Sequence, residues 1–521
     1  MKRILKKISV LALLFVFSVA AFGLGGCGRQ EAVQAPAAEL VVGVGEDANK
    51  PDFAEIGVLS PNANICESLV KLSPDFKAEP LLATKWEYTG GNIWRFTLRR
   101  GVKFHNGREF TADAVKYTFE QAMRPTGKSM LHLKEVKVVD KYTVEIVTAE
   151  PNMVVPEIIT HPLYGIRCPG TDPAARPVGT GPFKFTRYEK DKELVVEKNP
   201  AYWGTPARLD RITFKYIPDA NTRIMALKAG EVDVIKEIPR EMVGQLSKEK
   251  GIQVLASPPG GIYIVFEVRM NKRDGAAADK RVRQALAYAI NRRAIVDEVW
   301  EGNAAVGRTW LPAGMLGGSG NVIEGFEYNP EKAKRLLEEA GWKPGPDGIR
   351  VKNGRRLAVT IISGFPSAAE LKPVPEVVQQ QFKDVGMEAR IIEVSDEGVY
   401  EDLLKKGEGD LWLTKGNQNN ADPTFGPQLL HHSKGYYGEM CGNPWWGGED
   451  FDRLIDAART TADPGERTRL VAEALDLLID RETVVIPIAA LSNVYAANGK
   501  VRDLTPHPAD VNTRWENVSV R

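Results

Sequence analysis

The chain is poor in the residues that usually carry chemistry. Four cysteines, Cys27, Cys66, Cys168 and Cys441, are spread over 521 residues, and no two form a Cys-x-x-Cys pair. That excludes zinc-ribbon and dithiol redox readings. Histidines number six, and only His431 and His432 are adjacent. No Gly-x-x-x-x-Gly-Lys-Ser/Thr loop, Gly-x-Ser-x-Gly elbow or His-Glu-x-x-His run is present. Phosphate-loop, α/β-hydrolase and zincin chemistry therefore lack their minimum parts. An excess of one charge is missing too. Lys plus Arg is 69 and Asp plus Glu is 68, whereas a nucleic-acid partner calls for a basic face. Beyond the N-terminal segment, no apolar stretch approaches the roughly 18 residues of a membrane span.

What the chain does have begins at its N-terminus. Lys2, Arg3, Lys6 and Lys7 precede the uncharged residues 8–24, which run into Leu24-Gly25-Gly26-Cys27. A positive segment, an apolar segment and small residues at the cut predict a secretory signal. A cysteine directly after the small pair is what a lipoprotein signal peptidase requires. Residues 1–26 are expected to be the signal peptide, and Cys27 the lipidated residue. Residues 27–39 then form anchor and tether, since 28–38 show no helix or strand periodicity. Acyl chains on Cys27 give stable anchoring by the two-chain logic, which places the protein outside the cytoplasmic membrane, in a periplasm or on the outer face. Without residues 1–26 the chain carries 65 basic and 68 acidic groups, still balanced. Three cysteines remain, and an odd number argues against a disulfide framework. Which two of Cys66, Cys168 and Cys441 would pair is left open.

Short strands and helices alternate along the rest. Trp94, Phe96 and Leu98 alternate with polar neighbours, as do Ile212, Phe214 and Tyr216, and residues 262–268 read as a more fully buried strand. Asn329-Pro330 opens a helix that Gly341 closes. Asp463-Pro464-Gly465-Glu466 opens another with capping-box spacing. Residues 279–301 read as helical with a break near Asn291. The alternation predicts an α/β fold. Gly179-Thr180-Gly181-Pro182-Phe183 reads as a tight turn that needs glycine dihedrals, without the lysine of a phosphate loop.

Several segments fall in a telling order. They are Glu79-Pro80-Leu81-Leu82-Ala83-Thr84-Lys85-Trp86, Trp94-Arg95-Phe96-Thr97-Leu98-Arg99, Gly101-Val102-Lys103-Phe104-His105-Asn106-Gly107 and Phe110-Thr111-Ala112-Asp113. Pro177-Val178-Gly179-Thr180-Gly181-Pro182-Phe183 and Asn199-Pro200-Ala201-Tyr202-Trp203 follow, then Leu227-Lys228-Ala229-Gly230-Glu231-Val232-Asp233 and Asp279-Lys280-Arg281-Val282-Arg283-Gln284-Ala285-Leu286. The set resembles the extracellular solute-binding proteins of the peptide/nickel class (family 5) of ABC importers, from about residue 40 to 521. The resemblance implies a periplasmic-binding-protein-like α/β clamp of two lobes with an extra inserted subdomain. Lobe I would take residues 40–60, 177–265 and 484–521, the insert 61–176, and lobe II 266–483. It implies a binding protein rather than an enzyme, partnered by an ABC permease and ATPase, with no resident cofactor.

The resemblance also frames the ligand. Peptide binders of this family hold the peptide's amino group on an Asp about three residues before an Asp/Glu-Pro pair. Here the pair is Asp422-Pro423, and Asn419 stands at that position within Asn417-Gln418-Asn419-Asn420. An amide hydrogen-bonds an amine but does not neutralise it. Nickel-type members lack that Asp, grip a chelator's carboxylates with arginines and complete the metal with a histidine. By that analogy His431 or His432 is a candidate metal ligand and Arg167 a candidate clamp. Asn417, Asn419, Asp422, Tyr436 and Tyr437 are candidate ligand contacts, with Trp445 and Trp446 extending an aromatic loop. A dipeptide or oligopeptide is the first reading of the ligand, and nickel or another metal chelate the alternative. Readings from other classes are a surface adhesin or chaperone, and a metallohydrolase using His431 or His432, which would need a third ligand and a general base that no spacing supplies.

Overall fold

The computed structural model describes residues 37–46, 63–122, 131–172, 176–269, 275–363, 371–435, 438 and 448–521. Residues 38–521 form one compact unit. The signal, Cys27 and the tether up to residue 36 lie outside the described residues, as do Tyr436, Tyr437, Trp445, Trp446 and Cys441.

Three sheets organise that unit. The first has seven strands in the order Ile252–Ala256, Val494–Asn498, Val234–Ile235, Glu39–Val44, Arg211–Tyr216, Glu193–Lys198 and Phe183–Glu189. Glu39–Val44 is central and parallel to both its neighbours. The second has six: Ala304–Val306, Val485–Leu491, Ile262–Val268, Leu411–Asn417, Ala358–Ser363 and Glu388–Glu393. The third is a four-stranded antiparallel sheet in the order Ala83–Gly90, Ile93–Leu98, Thr143–Thr148 and Leu133–Asp140. Helix Ala112–Ala122 shares its core.

Ile262–Val268 shows how sequence becomes architecture. Ile264, Phe266 and Val268 enter one hydrophobic core, while Tyr263 and Val265 enter another. Strand side chains alternate between faces, so a nearly unbroken apolar run marks a strand covered on both. The helix signals also hold. Asn329 caps Pro330–Glu339 through Lys332 N, and Asp463 caps Pro464–Asp476 through Glu466 N. The break at Asn291 is real: it caps Arg292–Val299 through Ala294 N, after Lys280–Ala289 has ended.

The matched motifs turn out to be architectural. Glu67, 4% exposed, accepts from Thr180 Oγ1 at 2.9 Å, Tyr202 OH at 2.7 Å and Trp203 Nε1 at 2.9 Å. Two landmark motifs therefore converge on one buried carboxylate, which burial pushes up from its ordinary pKa while these donors pull it back. Gly179 and Gly181 are needed for a different reason from the one the sequence suggests. Neither has a positive φ. A Cβ on Gly179 would lie 2.1 Å from Ile65 O, and one on Gly181 2.1 Å from Asn64 O. Close approach, not dihedral freedom, selects glycine there.

Between the two larger sheets the described chain passes twice, at 257–261 and at 492–493, rather than near 265 and 484. Ile262–Val268 and Val485–Leu491 both belong to the second sheet because they pair with each other. The crossings run side by side. Ser257 N donates to Asn493 O at 2.9 Å, and Asn493 N donates to Ser257 Oγ at 2.9 Å. Asn493 Nδ2 then donates to His507 O and Pro508 O. A Cβ on Gly261 would sit 1.7 Å from Pro508 O. Gly261→Ala should therefore displace the crossing and lower stability by about 2–3 kcal/mol, as read by chemical denaturation. A change below 0.5 kcal/mol would mean that the crossing yields freely.

Candidate functional site

Parallel strands send their carboxyl ends to one edge, and ligands in open α/β folds bind there. Glu39–Val44 ends at Gly45, and Val234–Ile235 ends at Lys236 and Glu237. Facing them are Ile262 and Lys415 of the second sheet. Between lies a cavity of about 360 Å³ that also touches the crossing at Asn493. Its walls carry charges of both signs: Glu46, Glu237 and Asp510 against Lys236, Arg240 and Lys415.

Each charge has a structural origin. Lys236 is buried, ion-paired with Asp510, and 5.5 Å from the Tyr495 ring centroid. Tyr495 OH also donates to Asp510 and lies 3.1 Å from Thr513 Oγ1. Burial, then the Asp510 charge, holds the Tyr495 phenol well above its ordinary pKa, so it stays a donor. Arg223 gives Nη1 to Ile217 O and Pro218 O, and Nη2 to Glu237 O. Glu237 accepts from Gly45 N through Oε2. A Cβ on Gly45 would lie 2.5 Å from that oxygen, so glycine keeps the strand end clear.

Lys415 and Asn417 share a strand face, and Asn417 is exposed at the strand's end, paired with Ile262. Gly416 between them leaves room for the Tyr263 ring, which a Cβ would meet at 2.0 Å. The next residues turn inward. Gln418 Nε2 donates to Asn420 O, Asn420 Oδ1 and Asp422 O. Asp422 Oδ1 accepts from Thr424 N at 2.8 Å and Thr424 Oγ1 at 2.7 Å. Asp422 is fully buried, and burial raises its pKa against the pull of Arg459. Asp422 thus shapes the loop and does not reach the cavity, contrary to the expected ligand contact. Asn419 is half-buried beside it. This loop, with Arg459 and Arg467 of two later helices, is tied to the unit of the four-stranded sheet. Ala421 N donates to Thr160 Oγ1 at 3.0 Å, Met153 N to Arg459 O at 2.7 Å, and Arg467 Nη1 to Glu157 Oε1 at 2.8 Å.

The remaining candidates lie elsewhere. Arg167 is 2% exposed, donates Nη2 to Leu163 O, and is absent from the walls of the cavity. Its guanidinium is buried, not offered to a solute. His431 is sealed beside Trp310 and Phe451, with Nε2 3.5 Å from Glu267 Oε2. His432 accepts from Lys434 N and lies 3.2 Å from Asp456. The two rings share no partner, and among the described residues no three His, Cys, Asp or Glu side chains come together to hold a metal. Each ring is packed into its own surroundings, and neither His431 nor His432, the candidate metal ligands, lines the cavity. Cys66 and Cys168 are free thiols, and burial pushes Cys66 up to about 11.

Lys236, Glu237, Tyr495 and Asp510 escaped the sequence reading. One signal was available: Lys236-Glu237 directly follows the matched 227–233 segment, where a buried strand runs into adjacent opposite charges. Tyr495 and Asp510 meet Lys236 across some 260–270 residues and carry no local signal.

The comparisons fit this architecture. The description of bacterial extracellular solute-binding proteins, family 5 (middle region) matches residues 77–438. The chain belongs to that family. A glutathione-binding protein of Salmonella choleraesuis (strain SC-B67) is 29% identical over 482 residues, covering 87% of this chain and 89% of that one. The dipeptide-binding protein of Escherichia coli (strain K12) is 28% identical over 490 residues, covering 85% and 86%. The structure of NikA from Brucella suis in complex with Fe(III)-EDTA superposes with a TM-score of 0.80 at 24% identity, over 93% of this chain and all of that one. The fold is thus that of the family 5 two-lobed clamp. The two larger sheets are its lobes, and the cavity lies between them. No helix among the described residues is long and apolar enough to cross a membrane.

The Glu267–His431 pair inside the second lobe makes a pH prediction. Burial lifts Glu267 to about 8 and drops His431 to about 3, so both are neutral near pH 7. Below pH 6.5 the unfolded state gains the histidine proton, and stability falls as pH falls. Above pH 4.5 the unfolded state loses the glutamate proton that the folded state keeps, and stability falls as pH rises toward 8. Between 4.5 and 6.5 the two slopes oppose each other; from 6.5 to 8 the glutamate slope acts alone, at most about 1.4 kcal/mol per pH unit. Glu267→Gln should remove that decline, so that its melting temperature gains on the native chain between pH 6 and pH 8. A constant difference across that range would instead mean an ionised pair.

Proposed function

We propose that this chain is the solute-binding component of an ABC importer, anchored outside the cytoplasmic membrane through lipidated Cys27. It captures a short peptide between its lobes and hands it to the permease, with no catalytic step of its own. The observation that carries this reading is the cavity itself, walled by both lobes and bearing both signs of charge in close quarters. A dipeptide or tripeptide is a zwitterion of matching size, and buried charges need partners. The glutathione- and dipeptide-binding relatives support the same solute class. A metal chelate is supported less, since neither His431 nor His432 faces the cavity.

Native mass spectrometry of residues 28–521, purified without chelators and with metal analysis of the same sample, tests the solute. A ladder of added masses matching short peptides is expected. One added mass with a stoichiometric transition metal would replace the peptide reading with chelate uptake. For the anchor, Cys27→Ser should shift the protein from the membrane fraction to the soluble fraction. Unchanged membrane association would exclude a lipid on that residue.

A further inference from the structure

Lys236 and Glu237 leave the same short strand, yet their charges meet different environments. The Lys236 ammonium is held by Asp510 and lies near the Tyr495 ring. Glu237 has only half its carboxylate engaged. Oε2 accepts from Gly45 N and lies 3.8 Å from Arg223 Nη2. That guanidinium already serves three carbonyls. No described residue donates to Oε1, and the side chain is 40% exposed where it lines the cavity.

The placement is imposed by the backbone. Glu237 has φ of 51°, a left-handed conformation uncommon outside glycine. Such conformations persist where the surroundings over-determine them, and they cluster at ligand clamps. Here Arg223 Nη2 fixes the Glu237 carbonyl while Gly45 N fixes the carboxylate. Burial first, and then the nearby acids Glu46 and Asp510, disfavour charge on Glu237, and together they outweigh the pull of Lys236 and Arg223. A ligand cation entering the cavity would reverse the imbalance.

We infer that Glu237 selects solutes with a free ammonium, its Oε1 accepting from the amino terminus of the bound peptide. This rests on the peptide reading above. It supplies the carboxylate that Asn419 cannot. Lys415, on the opposite wall, belongs to the other lobe, so a peptide held at Glu237 spans the gap that closes on binding. An N-acetylated peptide loses the cation and leaves Glu237 facing an uncharged group, a mismatch that buried polar sites reject strongly.

The test uses residues 28–521 and a synthetic dipeptide library, offered once with free amino termini and once N-acetylated. Retained peptides are quantified by mass spectrometry and their affinities by calorimetry. The native protein should favour the free-amine library at least 10-fold. Glu237→Gln keeps an oxygen for Gly45 N, so its ligand-free melting temperature should stay within about 2 °C. Its affinity for free-amine peptides should fall 10- to 100-fold, and its preference over acetylated peptides should nearly vanish. If Glu237→Gln discriminates as well as the native protein, Glu237 is not the amine partner and the peptide reading stands. If the native protein retains neither library, both readings fall.

Discussion

Everything functional in this molecule depends on two strands of chain crossing between the lobes side by side. Ser257 and Asn493 exchange backbone and side-chain hydrogen bonds there, and Asn493 ties the pair to the 507–508 turn. Two parallel crossings define an axis, and a single crossing would define only a pivot. The cavity abuts this axis, with Asn493 in its wall, so a solute bound there sits where a small rotation moves both walls. Ligand binding to such a clamp biases an existing open–closed equilibrium by whatever contacts the closed form adds. The loop that follows Asn417 reaches across to Thr160 and ties the second sheet to the unit of the four-stranded sheet.

The fold was legible because its signals are local. Asn291, Asn329 and Asp463 act within three residues of where they stand. The apolar run 262–268 carries its double burial in its own composition. The two crossings were placed some residues off, since sheet membership depends on pairing between residues more than 200 positions apart. The site was legible only in outline. Asn417 pairs with Ile262 of the cavity wall without lining the cavity itself, and Asp422, Arg167 and His431 are polar groups turned inward. A sequence shows that a residue is charged and not which way it faces. Lys236 and Asp510 form the reverse case: ordinary in sequence, they become a site only through a contact spanning half the chain.

The motifs that reveal the family say little about its solute. Thr180, Tyr202 and Trp203 all donate to Glu67, and none of the four lines the cavity. A buried carboxylate with three donors is costly to disturb, since each orphaned partner forfeits about 1–3 kcal/mol. Such a cluster is retained whatever the protein binds. Ligand choice is left to the strand ends and loops, where substitutions such as Asn419 leave the frame intact.

Burial acts on the two buried acids of the second lobe and on the acids of the cavity, but the partners around them differ. Glu267 lies beside a neutral His431, and meets burial by keeping its proton. Asp422 is drawn the other way by Arg459, though burial prevails. In the cavity, Asp510 keeps its charge company with Lys236 and Tyr495. Burial thus disfavours charge in the lobe interior and on Glu237 alike, while Asp510 in the cleft is ion-paired with Lys236. Glu237 differs from the interior acids in that its open oxygen lies where solute can reach it. A clamp built this way closes most favourably on a ligand whose charges complete those of its walls, because an uncharged solute would leave that carboxylate desolvated without a partner.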